Sequence, residues 1–431
     1  MTTARNGAGS ASVVRPAAAE SASAGSASVV GPAAPESASA GSASVVGPAA
    51  AESASAGPAS AAPTGAQPTA ARAGTTALIA AADTPGRIRA GRPIVLASIV
   101  LVAAMVIGVA IGPAGLTPHQ IVDALVARLP WHPRVLVPPL DAAIVWQIRL
   151  PRVLLGVLVG SMLAGGGAAY QGIFRNPLAD PYLLGVAAGA GLGATIVAVS
   201  GGSLALTPPA AFAGAAVAVT LTYLLGARAG RAGDSPATRS GTGSILLAGI
   251  AIAAMLTAFQ TYLQQEHTQT LSIVYSWILG GLSAATWSDI WMILPYVTVA
   301  AIGLLIHRRF LDVLRVGETE ATSLGVNVAR LRLIVVVAAT LGVAAAVAVS
   351  GLIGFVGIIV PHAIRLTAGP SYRVLLPVSM IGGAAFLVLA DVVARTAQAP
   401  SEVPIGVITA LTGAPFFLFV LRSRRARQDL S

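Results

Sequence analysis

The chain contains no cysteine and no lysine, and only 10% of its 431 residues are charged. Without cysteine there is no disulfide, no thiolate-bound zinc, no iron–sulfur cluster and no thiol nucleophile. Without lysine the phosphate-cradling G-x-x-x-x-G-K-[ST] loop cannot be formed, and Schiff-base chemistry lacks its amine. The shortage of charge is the broadest exclusion. Soluble domains carry about a quarter of their residues charged, so a chain this poor in charge and 55% hydrophobic is not a water-soluble enzyme. Paired carboxylates, a metal-spaced histidine pair and a Ser/His/Asp arrangement are missing too. His119, His132, His267, His307 and His362 fall in separate segments, so neither catalytic chemistry nor a bound cofactor or metal is expected.

What is present begins with a repeat. Residues 9–24, 25–40 and 41–56 are near-copies of one unit, GSASVVGPAAAESASA. Structural repeats are usually 20 residues or longer and bury an apolar face, whereas this unit offers one Val-Val pair. Residues 1–85 therefore read as a disordered low-complexity tail, produced by tandem duplication or serving as a spacer. The first thirty residues show no basic start followed by an apolar run, so no cleavable signal peptide is expected.

Residues 86–431 read differently. A bilayer core of about 30 Å takes about 20 helical residues. Apolar runs at 94–111, 153–173, 183–199, 209–225, 245–263, 290–306, 333–349, 355–366, 375–393 and 405–421 predict ten transmembrane helices. The eighth is short, interrupted by Pro361-His362 and preceded by a broken stretch at 351–357. Long continuous runs suit helices, not the short alternating strands of a barrel. The expected class is an all-α polytopic membrane protein. If the N-terminus is inside, Arg87, Arg92, Arg175, Arg228, Arg308, Arg309, Arg330 and Arg424 all lie inside. Outside fall Arg128, Arg134, Arg149, Arg152 and Arg395. This is the positive-inside asymmetry, and it places both termini in the cytoplasm. The formal charge of +10 then reflects membrane topology and not nucleic-acid binding.

Small residues let helices approach closely in lipid. Gly156 and Gly160, and then Gly185, Gly189 and Gly193, recur at four-residue spacing and read as helix-contact stripes. Gly189-Ala190-Gly191-Leu192-Gly193 superficially suggests a nucleotide loop, but no strand precedes it and the phosphate lysine is absent.

Several motifs coincide in order along the chain. They are Trp146-Gln147-Ile148-Arg149-Leu150-Pro151-Arg152, a glycine-rich helix ending in Tyr170-Gln171, Arg175-Asn176-Pro177-Leu178-Ala179-Asp180-Pro181, and Leu184-Gly185-Val186. Further on come Gly280-Gly281 near Trp277 and Trp287, Gly317-Glu318 with Ser323-Leu324-Gly325-Val326, and Gly354-Phe355-Val356-Gly357 with Val360-Pro361-His362. Ala390-Asp391 and Glu402-Val403-Pro404-Ile405-Gly406 before Gly413-Ala414-Pro415 complete the set. Together they resemble the FecCD-type permeases, the membrane subunits of type II ABC importers for iron-siderophores, haem and cobalamin.

The resemblance implies three surfaces. The connection after the sixth span, residues 311–332, would form short helices that dock on a separate cytoplasmic ABC ATPase, through Gly317, Glu318, Ser323, Leu324, Gly325 and Val326. An ordinary solvated loop is the alternative. Arg149, Arg152 and Arg395 would receive acidic residues of an extracytoplasmic substrate-binding protein. The alternatives are interfacial snorkelling of Arg149 and Arg152 and an i,i+4 pair between Asp391 and Arg395; docking is the favoured reading. The polar run containing Gln265, Glu266, His267 and Thr268 would face the mouth or gate of a route between two permease copies, or be a solvated loop. His267 could also touch a haem iron. The implied assembly is a plasma-membrane homodimer that hydrolyses no ATP itself, with iron-siderophore as the expected substrate and cobalamin or haem as alternatives. An ion-coupled secondary transporter would instead need ionisable groups near the midplane.

Overall fold

The computed structural model describes residues 91–128, 137–232 and 242–428. The expected tail at 1–85 lies outside the described residues, as do Arg87, Arg89, His132, Arg134 and Arg239. In chain order the helices are α1 Gly91–Ala110, α2 Pro118–Val126, α3 Pro139–Ile173, α4 Val186–Val199, α5 Thr207–Ala232, α6 Thr242–Glu266 and α7 Leu271–Ile278. There follow α8 Trp287–Leu314, α9 Glu318–Ser323, α10 Val328–Ser350, α11 Val356–Ala368, α12 Tyr372–Thr396 and α13 Ile405–Gln428.

Each of the ten apolar runs falls on a helix. Among the described residues, seven helices are long and apolar enough to cross a membrane: α1, α3, α5, α6, α8, α10 and α12. The helix carrying the second run begins at Pro139, well before residue 153. Arg149 and Arg152 look like the end of a span in sequence, yet partners from other segments let this stretch stay helical. Between its α-helical parts, Ile144–Arg149 form a π-helical turn, which re-aims the side chains that follow it.

The third and eighth runs give short helices. With 14 and 13 residues, α4 and α11 reach only about 20 Å of a core of about 30 Å. Each starts from a left-handed residue, Gly185 with φ 86° and Phe355 with φ 68°, beside buried Leu184 and Ile353. Irregular backbone at this depth must have its polar groups satisfied. Tyr182 does so by donating its hydroxyl to the Ile353 carbonyl at 3.1 Å and accepting the Ile353 N–H at 3.2 Å. The Gln171 amide donates to the Gly357 carbonyl at 3.2 Å, and the Gly281 N–H to the Ser350 carbonyl at 2.9 Å.

Burial ranks the helices. About three-quarters of the apolar stretch is buried in α3 and α10, at 78% and 72%, and 67% in α12, against 17% in α1 and 22% in α6. The centre of the bundle is thus α3 packed antiparallel on α10, with Tyr170 and Thr340 hydrogen-bonded at 2.8 Å. Its close approaches need glycine. Gly160 lies against the carbonyl of Gly383 in α12, Gly189 against that of Gly214 in α5, and Gly193 against that of Ala210. Gly156 faces Val388 and Leu282. Gly185 departs from the expected stripe, since its position demands a positive φ and not a close helix contact. The order long, short, long, long recurs in α3–α6 and α10–α13, the arrangement of an internal repeat.

Candidate functional site

At the end of the bundle where α1 and α12 finish and α3 begins, three arginines meet two carboxylates. Arg152 donates through Nε and Nη2 to Asp391 at 2.8–3.0 Å and through Nη1 and Nη2 to Glu402 at 2.7 and 2.9 Å. Arg395 donates Nη2 to the Gly108 carbonyl at 2.7 Å and lies 3.4 Å from Asp391. Arg149 caps α1, donating to the carbonyls of Val109 and Ala110 at 2.8 and 2.9 Å and to Ala114 at 3.4 Å. Three positive charges face two negative ones. The surplus cation, Arg149, sits on the C-terminal carbonyls of α1, where the helix dipole favours it.

This corrects the expectation that these arginines present themselves to a partner. Arg149, Arg152 and Arg395 are 3%, 5% and 2% exposed, and the cluster ties together α1, α3, α12 and the segment before α13. The i,i+4 pair between Asp391 and Arg395 is present. Snorkelling does not describe Arg149 or Arg152, whose guanidinium groups turn into the protein. Arg128 does remain near the surface, stacked over Trp146 at 4.8 Å.

At the same end, α6 finishes in Gln265 and Glu266 and is followed by His267 and Thr268, all four exposed. His267 Nδ1 lies 3.1 Å from the Leu263 carbonyl, and the chain turns back through the short helix α7, which no apolar run announced. Gln264 and Gln260 face inward instead, both buried. The Gln260 carboxamide occupies the space that a Cβ on Gly191 would fill. Gln260 was not singled out from sequence, although its four-residue spacing to Gln264 places both on one helical face.

At the opposite end, α9 is held by Glu318, whose carboxylate meets Arg332 of α10 at 2.6 Å, and by buried Ala321. Gly317 and Gly325 bracket it, Gly325 with φ 83°. Ser323 turns back to the Glu320 carbonyl at 2.8 Å. Leu324 and Val316 are 70% and 69% exposed, whereas Val326 packs against the core. The exposed apolar tip therefore consists of Val316 and Leu324. In the connection between α3 and α4, burial pushes the Asp180 carboxyl up to about 6, although the Tyr182 N–H donated to it at 2.7 Å pulls the other way.

Comparison with known proteins follows the same outline. The profile of the FecCD transport family matches residues 100–423. A cobalamin import system permease of Halobacterium salinarum is 41% identical over 347 residues, covering 78% of this chain and 91% of that protein. A hemin transport system permease of Yersinia pestis is 42% identical over 302 residues, covering 66% and 85%. An Fe(3+) dicitrate transport system permease of Escherichia coli is 37% identical over 308 residues, covering 70% and 89%. A solved structure described as an inward-facing conformation of a metal-chelate type ABC transporter superposes with a TM-score of 0.66 at 29% identity, covering 77% of this chain and 98% of that one.

Proposed function

Because the chain belongs to the FecCD transport family of ABC importer permeases, we propose that it forms the membrane route for an iron-siderophore complex, as a homodimer in the plasma membrane. An ABC ATPase docks on the Glu318 end, which is cytoplasmic together with both termini. A substrate-binding protein delivers to the Arg152 end. The permease itself hydrolyses nothing. Its short broken helices move as bodies when the ATPase closes and opens.

The placement of charge carries this reading. Apart from Asp180, buried in the connection between α3 and α4, every described aspartate, glutamate and arginine lies at one of the two ends of the bundle, and the middle holds neutral groups such as Tyr170, Thr340 and Thr195. A carrier driven by protons or sodium needs ionisable groups at depth, so an external motor is favoured. The long, mostly uncovered α6, 22% buried over its apolar stretch, supplies a face for a second copy, and Gln265 to Thr268 then line the mouth of the route between them.

Uptake tests the substrate. Proteoliposomes holding the permease and its ATPase, supplied with binding protein, are given radiolabelled ferric siderophore, cobalamin or haem. ATP-dependent accumulation of the siderophore is expected; accumulation of cobalamin or haem in its place would reassign the substrate while keeping the family role.

A further inference from the structure

A second charged feature lies away from the route. Where α8 approaches its C-terminus, Arg308 and Arg309 of α8 and Arg373 of α12 open onto a hollow of 520 Å³ whose floor is Leu305, Phe310 and Val313. Arg309 and Arg373 are exposed and Arg308 is half-buried. Among the described residues, Arg308 and Arg309 make no ion pair. Asp312, the nearby acid, is already engaged. It accepts from the Ser371 hydroxyl at 2.9 Å and the Tyr372 N–H at 2.7 Å, while Arg315 lies 3.7 Å and Arg373 4.0 Å from it. Four arginines thus face one carboxylate.

The hollow continues into an apolar track. Val299, Ile302 and Ile306 are 61%, 51% and 64% exposed and follow one another at helical spacing up to Phe310. From Val299 to Phe310 the track is about 17 Å long, about the depth of one leaflet of a core of about 30 Å. A cationic hollow at the membrane surface joined to an apolar stripe of that length matches one molecule at both ends.

We propose that this hollow is a binding site for an anionic glycerophospholipid of the cytoplasmic leaflet. Arg308, Arg309 and Arg373 take its phosphate, and one acyl chain lies along Val299 to Ile306. Arginine suits the role because its planar fork pairs with phosphate oxygens two at a time, and basic pockets between helices on this side of a membrane collect acidic headgroups. The proposal rests on the membrane orientation given above but not on the transported substrate.

Native mass spectrometry of the full-length permease in detergent, titrated with phosphatidylglycerol or phosphatidylcholine, tests it. The wild type should hold phosphatidylglycerol roughly tenfold more tightly. R308Q/R309Q/R373Q should lose that preference, whereas Arg228→Gln, at an exposed arginine on α5, should keep it. If the triple variant does not fold, the single exposed replacement Arg309→Glu should still weaken the preference roughly threefold or more. An unchanged preference in these variants, or equal loss in Arg228→Gln, would show only general surface charge and overturn the site. Displacement of the lipid by inorganic phosphate would make it a free-anion site. Variants that keep the lipid preference but lose co-purification of the ATPase would make the hollow a protein contact and overturn the lipid site. Failure of transport in the uptake assay, with lipid preference intact, would count against the transport reading and not against this one.

Discussion

Arg152 and Asp391, 239 positions apart in sequence, are joined by N–H···O contacts of 2.8–3.0 Å with both side chains almost fully buried. Removing one partner of such a pair leaves an uncompensated buried charge, at a cost of about 3–5 kcal/mol. Asp391→Leu alone takes from Arg152 and Arg395 the carboxylate they share and should therefore lower the melting temperature of the purified permease sharply. Arg152→Met with Asp391→Leu should recover part of the loss, because one of the two stranded cations is removed together with the carboxylate. Arg395 and Glu402 keep the recovery incomplete. Equal melting of the single and double variants would mean that the pair contributes little to stability.

Gly160 and the Gly383 carbonyl set how closely α3 and α12 approach. Neither the neighbouring backbone nor Leu387, whose Cβ lies 2.8 Å from where a Gly160 Cβ would sit, can yield easily. Overpacking a close contact typically costs about 1–3 kcal/mol, and a branched side chain here should cost at least that. Gly160→Val should reduce the folded fraction on size-exclusion chromatography, while Gly281→Ala, whose added Cβ would meet only the Ser283 hydroxyl at 3.9 Å, should be tolerated. Normal folding of Gly160→Val would show that the helices can separate at little cost.

The helices were legible because a bilayer demands long apolar runs, and all ten runs fall on helices. Gly156 and Gly160 on α3, and Gly189 and Gly193 on α4, were legible as contact residues because four-residue spacing puts each pair on one face of its helix. The fate of Arg149, Arg152 and Arg395 was not. An arginine at a helix end looks the same in sequence whether it awaits a partner protein or caps a neighbouring helix. What decides between them is the Gly108 and Val109 carbonyls, Asp391 and Glu402, which arrive from distant segments. The start of α3 was hidden for the same reason, since Arg149 and Arg152 read as span-ending until their burial is known. The short helix α7 left no signal because its eight residues are too few for an apolar run to be distinguished from a loop.

Asp180 offers a test through pH. Its folded-state value of about 6 lies above the ordinary carboxylate value of about 4, so the native protein holds this proton more tightly than the unfolded chain does. The native state is then favoured by protonation, and this contribution is lost as pH rises from about 4 through about 6. Asp180→Asn keeps an oxygen to accept the Tyr182 N–H and removes the titration. The variant should melt at a higher temperature than wild type above about pH 6, and the gap should close towards about pH 4. A gap that is the same at every pH would mean that Asp180 is ionised as freely in the native protein as in the unfolded chain.

Leu324 is the group most simply assigned to the ATPase. It is 70% exposed at the tip after α9, and nothing inside the chain requires its apolar side chain, whereas Gly325 beside it has a φ of 83° that would strain most replacements. Leu324→Asp should therefore leave folding and membrane insertion unchanged, because a solvated aspartate replaces a solvated leucine. In a groove of the ATPase the same carboxylate would be desolvated without a partner, at a cost of several kcal/mol, and co-purification of the ATPase should fall by an order of magnitude or more. Glu318→Gln, which weakens the anchor of α9 on Arg332 without touching the tip, should reduce co-purification less and also lower the melting temperature. Full ATPase recovery and full ATP-driven uptake with Leu324→Asp would show that the contact is made elsewhere on the connection from α8 to α10.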